Sequence, residues 1–144
     1  MRNEDGNLSE LADLIHGVSR QLRPPADLQP GPCTPMEITV MRYVHRNPGT
    51  SARNAADALF LPSSNFSRIV RGLEEKGLVR RADDAQDGRG VRLHPTALAD
   101  ENQKRLSDAW QGALQGIIED PQTIALVNAT LRRIETALNK TPRS

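Results

Sequence analysis

Leu8, Leu11, Ile15, Val18 and Leu22 recur at steps of three and four, which predicts an amphipathic first helix with a narrow apolar seam. Pro24, Pro25, Pro30, Pro32 and Pro35 forbid helix in the linker that follows. Thr34-Pro35-Met36-Glu37 is a capping box with proline at the first helical position, so a second helix starts there; it runs to about Arg46 and is stopped by Asn47-Pro48-Gly49. Ala52, Ala55, Ala56 and Leu59 mark the buried side of a short third helix, whose alanines permit close approach to a neighbour. Phe66, Ile69, Val70 and Leu73 form the apolar stripe of a fourth helix, with Ser63 as the expected N-cap and Gly77 at the C-terminal stop. Residues 78–82 and 90–94 read as two short strands around an acidic, glycine-punctuated tip. A fifth helix begins near Thr96, uses Leu98, Leu106, Ala109, Trp110, Ala113 and Ile117, and is broken by Pro121; a last one repeats Ile124, Val127, Leu131, Ile134 and Leu138.

The predicted fold is mainly α with a small β-hairpin wing, an α+β arrangement. By length, residues 1–144 form one domain. Within it, residues 34–96 give a winged helix-turn-helix, an order of parts widely used to lay a helix in the DNA major groove while a basic wing touches the minor groove. The helices predicted over 7–23 and 96–140 carry coiled-coil-like seams that a small domain does not need for its own core, so they are expected to join two protomers into a homodimer.

Composition narrows the function classes. Aromatics at 3% leave a core built mostly of Leu, Ile, Val and Ala. The apolar runs fall far short of the ~18 residues a membrane span needs, and the polar start at residues 1–5 has no signal-peptide core, so no membrane is expected and cytoplasm is the default. A lone cysteine, Cys33, excludes an intramolecular disulfide and every multi-cysteine zinc pattern. His16, His45 and His94 are scattered without metal-ligand spacing, and no nucleophile motif or phosphate-cradling glycine loop is present. Neither an enzyme, nor a metal, nor a cofactor is expected.

A net charge of +1 is no footprint of a nucleic-acid binder, so placement has to carry that reading. On the fourth helix the side opposite the apolar stripe presents Ser64, Arg68 and Arg71, flanked by Asn65 and Ser67. Serine and asparagine can hydrogen-bond base edges or phosphates, and arginine can reach guanine acceptors. The helix N-terminus adds amide donors and partial positive charge. At the hairpin tip Asp87 stands two residues before Arg89 and can hold its guanidinium by a charge-assisted bond, aiming it at a narrow minor groove.

Leu61-Pro62-Ser63-Ser64-Asn65-Phe66-Ser67-Arg68, then Leu73-Glu74-Glu75-Lys76-Gly77-Leu78-Val79 and Asp87-Gly88-Arg89-Gly90-Val91-Arg92-Leu93, resemble the MarR family of winged-helix transcription regulators, most closely over residues 52–96. Pro95 stands where relatives usually have leucine and Ala99 where they have glycine, both at the junction of wing and fifth helix. The resemblance implies a homodimeric repressor on a pseudo-palindromic double-stranded DNA operator, released by a small molecule such as an aromatic acid or by an oxidant. It assigns Ser63, Ser64, Asn65, Ser67, Arg68 and Arg71 to the major groove, Arg89 to the minor groove, and Asp87 to orienting Arg89. The effector is expected where the dimer helices meet the winged part, near His16, Arg20, Met41, Arg42 and His45. Two other readings stand beside this one: a winged-helix protein-interaction module without specific DNA binding, and a thiol-based redox regulator using Cys33, whose place before a helix N-terminus can lower a thiol pKa.

Overall fold

The computed structural model of the protein describes residues 4–31, 33–83 and 90–140. Its elements follow the chain in the order α1 (Glu4–Gln21), α2 (Pro35–Arg46), β1 (Thr50–Ser51), α3 (Ala52–Ala58), α4 (Ser63–Glu75), β2 (Val79–Asp83), β3 (Val91–Pro95), α5 (Ala97–Leu114) and α6 (Pro121–Asn139). The mainly α, winged helix-turn-helix architecture is the one the pattern predicts.

Local chemistry sets each boundary. The capping box at α2 is complete: Glu37 N–H donates to Thr34 Oγ1 at 3.1 Å, and Thr34 N–H donates to Glu37 Oε1 at 2.9 Å. Helix α1 ends at Gln21, short of the predicted 23, because Pro24 disfavours helical geometry in the residue before it. Helix α4 ends in a Schellman motif, with Leu78 N–H bonded to Leu73 O at 3.0 Å, Gly77 N–H to Glu74 O at 2.9 Å, and Gly77 at φ +72°. Thr96 caps α5 and also donates its hydroxyl to Gly77 O at 2.6 Å, so Pro95 and Ala99 sit in a regular strand-to-helix junction. The expected break of α5 at Pro121 is corrected: α5 already ends at Leu114, ahead of Gly116 at φ +84°, and Pro121 opens α6 at its first position, with Asp120 capping it through Thr123. Ile117 lies beyond the end of α5, past Gln115 and Gly116, and is exposed.

Three strands form the sheet, in the order β1-β3-β2, all antiparallel. The predicted hairpin is β2 and β3. Strand β1 is two residues long, too short to show a period of two, and it pairs Thr50 with Leu93 and Ser51 with Arg92.

The core gathers Val40 and Val44 of α2, Ala55 and Ala56 of α3, Phe66, Val70 and Leu73 of α4, and Leu78, Val79, Leu93 and Ala99. Ala55 and Ala56 are the buried residues of α3, which packs against α2 and α4. A partly buried ion pair braces the same unit. Lys76, at the C-terminal end of α4, reaches Glu37 Oε1 at 2.6 Å, and Glu37 is only 6% exposed. Burial pushes the Glu37 carboxyl up, but the Lys76 ammonium and Thr34 outweigh it and hold the pKa below its ordinary value. A Cβ at Gly72 would lie 3.0 Å from Glu37 Oε2, so the absent side chain leaves room for this carboxylate.

Candidate nucleic-acid interface

Helix α4 presents two unlike sides. Phe66, Val70 and Leu73 are buried and Ile69 half-buried, while Ser63, Ser64, Asn65, Ser67, Arg68 and Arg71 are all exposed. All six α4 residues singled out in the sequence therefore lie on the accessible surface of one helix. The expected cap is corrected: Ser63 is the first helical residue, and Pro62 occupies the N-cap with no side-chain hydrogen bond. Proline carries no side-chain acceptor, so the first turn of α4, which holds the exposed Ser63, Ser64 and Asn65, lacks a side-chain cap. Such an end attracts anions.

The basic residues around α4 sort by partner. Arg81 Nε is held by Glu74 Oε1 at 2.6 Å and Lys76 by Glu37, so both brace the fold. Arg92 Nη1 donates to Gly49 O at 3.4 Å. Among the described residues no hydrogen bond or ion pair occupies the guanidiniums of Arg68 and Arg71. Asp87 and Arg89 lie outside the described residues.

The proposed effector residues separate into two sets. His16 and Arg20 stand on α1, which is exposed from residue 7 to its end. Met41, Arg42 and His45 belong to α2. Met41 is packed against the core, and Arg42 Nη2 is engaged by Glu135 Oε2 of α6 at 2.8 Å. Glu135 also takes a bond from Arg46 Nη1 at 2.9 Å, and the Arg46 and Arg42 bonds outweigh burial to hold its carboxyl below the usual pKa. Asn139, one turn later, donates to Ala58 O at 3.1 Å. Sequence reading missed this clamp between α6 and the α2–α3 unit. His45 is largely buried; burial pushes its pKa down, and Asp100, 3.8 Å away, pulls it partly back. An open groove of about 570 Å³ along α6, lined by Ala129, Arg132, Arg133, Thr136, Ala137 and Lys140, includes none of the expected effector residues.

Cys33 is half-buried, and burial pushes its thiol pKa up, with Lys76 opposing and Glu37 adding to the rise. The net direction is the reverse of the one its position before α2 suggests. Among the described residues no cluster of potential metal ligands occurs, and no helix is long and apolar enough to cross a membrane.

A model of the MarR family matches residues 33–90, the stretch from α2 to the hairpin. A protein of Thauera aromatica, described as a candidate transcriptional regulator for the hcr operon, is 30% identical over an alignment spanning 77% of this chain and 85% of that one. Among solved structures, a mutant of MepR from S. aureus superposes with a TM-score of 0.67 at 22% identity, covering 89% of this chain and 96% of that one. Another MepR mutant, bound to an oligodeoxyribonucleotide, gives 0.58 at 22% identity, over 89% of this chain and 97% of that one. PcaV from Streptomyces coelicolor, in complex with its natural ligand, gives 0.57 at 20% identity, covering 94% of both chains.

Proposed function

This chain belongs to the MarR family of transcriptional regulators, and on that footing we propose that it is a dimeric, ligand-responsive repressor that reads a pseudo-palindromic operator in the cytoplasm. The observation that carries this reading is the outer side of α4: exposed Ser63, Ser64, Asn65, Ser67, Arg68 and Arg71, with both arginines unpaired among the described residues, beside a helix end without a side-chain cap. In this reading the serines and Asn65 address base edges and phosphates, Arg68 and Arg71 reach guanine or backbone oxygens, and Arg89, oriented by Asp87, probes the minor groove. The reading part is the unit 34–96.

Exposed apolar side chains support the dimer. Leu8, Leu11, Leu14, Ile15 and Val18 of α1 and Trp110, Leu114, Leu126, Val127, Leu131 and Leu138 of α5 and α6 stay open to solvent in the single chain. Apolar surface on this scale marks an interaction site. Two-fold pairing through these helices sets half-sites about one helical turn, ~34 Å, apart.

Of the expected effector residues, His16 and Arg20 stand on α1 and Met41, Arg42 and His45 on α2, and in this reading an aromatic acid is received on the α2 side, at Arg42. Its carboxylate competes with Glu135 for Arg42, which loosens the hold of α6 on α2.

Replacing Arg68 by alanine is expected to relax sequence choice by ~1–3 kcal/mol if the side chain makes a bidentate guanine contact. Arg89→Ala is expected to weaken binding to all A·T-rich flanks. Both are read by titrating labelled operator in the presence of excess random duplex, which specific binding survives. Unchanged affinity and selectivity in both variants would refute these roles.

A further inference from the structure

The turn between α3 and α4 holds an aromatic residue in a conformation that favours glycine. Leu61 N–H bonds to Ala56 O at 2.9 Å and Phe60 N–H to Asp57 O at 3.1 Å, the two bonds of a Schellman motif that closes α3. Phe60 takes the left-handed position, at φ 55°. A Cβ crowds the backbone there, and glycine or asparagine is the usual occupant. Gly77 fills the equivalent position at the end of α4. Burial does not compensate the strain at Phe60, whose side chain is 54% exposed. Of the two phenylalanines, Phe66 is packed in the core at 2% exposure, so a protein poor in aromatics keeps the other in solvent. A strained, exposed apolar residue points to function more than to stability.

Its place says which function. Phe60 stands three residues before Ser63, at the same end of α4 that carries Ser64 and Asn65 and the N–H groups without a side-chain cap. Resting on the DNA-binding reading above, we infer that Phe60 is a specificity-determining residue that lays its ring against the C5-methyl group of a thymine at the edge of the half-site. The methyl is the apolar mark in a major groove otherwise read by hydrogen bonds.

The test uses the full-length protein and duplex selected by it from a random pool. Phe60→Gly and Phe60→Asn both suit the left-handed turn, so each is expected to fold and Phe60→Gly to melt at a higher temperature than the parent. Each is expected to bind the selected duplex more weakly, by about fourfold for one lost methyl contact. Replacing thymines one at a time with deoxyuridine, which lacks the methyl, should weaken the parent by a similar factor at one position per half-site and leave both variants unaffected there. Equal deoxyuridine sensitivity in parent and variants overturns the inference, as does unchanged affinity in both variants. A shift of the variants to monomer overturns it too, assigning the ring to the partner protomer. A parent that selects no duplex at all refutes the DNA-binding reading itself, which separates the two failures.

Discussion

Changing Val127 and Leu131 together to aspartate is expected to leave each protomer folded and to lower operator affinity by about 100-fold or more. Both side chains are exposed in the single chain, 41% each, and α6 contributes no residue to the buried core, so two new charges there disturb little within a protomer. In the proposed dimer these positions are expected to lie against the partner, where an unpaired carboxylate is strongly disfavoured. A lone protomer reads one half-site and forfeits the effective concentration that linkage supplies, a factor of roughly 10²–10⁴. Sedimentation of the variant and titration against the operator check both halves of the prediction. A variant that stays dimeric, or a monomer that binds as tightly as the parent, would contradict it.

The largest effect expected on stability comes from Lys76→Met. This change keeps the length of the side chain and strands Glu37, 6% exposed, without its cation. Removing one partner of a buried pair costs ~3–5 kcal/mol, and since Lys76 itself keeps 29% of its side chain in solvent the expected loss is about 2 kcal/mol. The pH dependence has a definite sign. Glu37 has a lowered pKa in the folded parent, so its contribution is full above the unfolded carboxyl value of about 4.3 and is lost as pH falls through the folded value. In the variant only the Thr34 bonds still oppose burial, and the carboxyl pKa rises from its value in the parent. The gap between parent and variant in urea midpoint is therefore widest near neutrality and narrows toward pH 4. A gap that is constant across this range would mean that the pair contributes packing alone.

How far the sequence led depended on how local each feature is. The capping box at Thr34, the apolar stripe of α4 and the glycine stop at Gly77 involve residues within a turn or two, and periodicity and turn chemistry display them directly. The outward set on α4 was legible for the same reason, since burying Phe66, Val70 and Leu73 forces Arg68 and Arg71 to the other side. Ser63 was misassigned as a cap because a serine before an apolar stripe is the commoner signal, whereas Pro62 fixes the extended N-cap geometry and pushes Ser63 into the helix. Pairings across the fold were out of reach. Glu135 and Arg46 are 89 residues apart and Glu37 and Lys76 are 39 apart, and no periodic pattern couples such positions. For the same reason Arg42 looked available to an effector although Glu135 already engages it. The strain at Phe60 was equally hidden, because a Leu-Phe-Leu run reads as apolar continuity.

The most direct test of the account is hydroxyl-radical footprinting of the full-length protein on duplex it selects from a random-sequence pool, with excess random duplex present and protomers per duplex counted. Two protected half-sites centred about 10 base pairs apart and occupied by two protomers are expected, the spacing that a two-fold pair of recognition helices imposes. A single protected stretch carrying one protomer, or protection that random duplex erases, would contradict it.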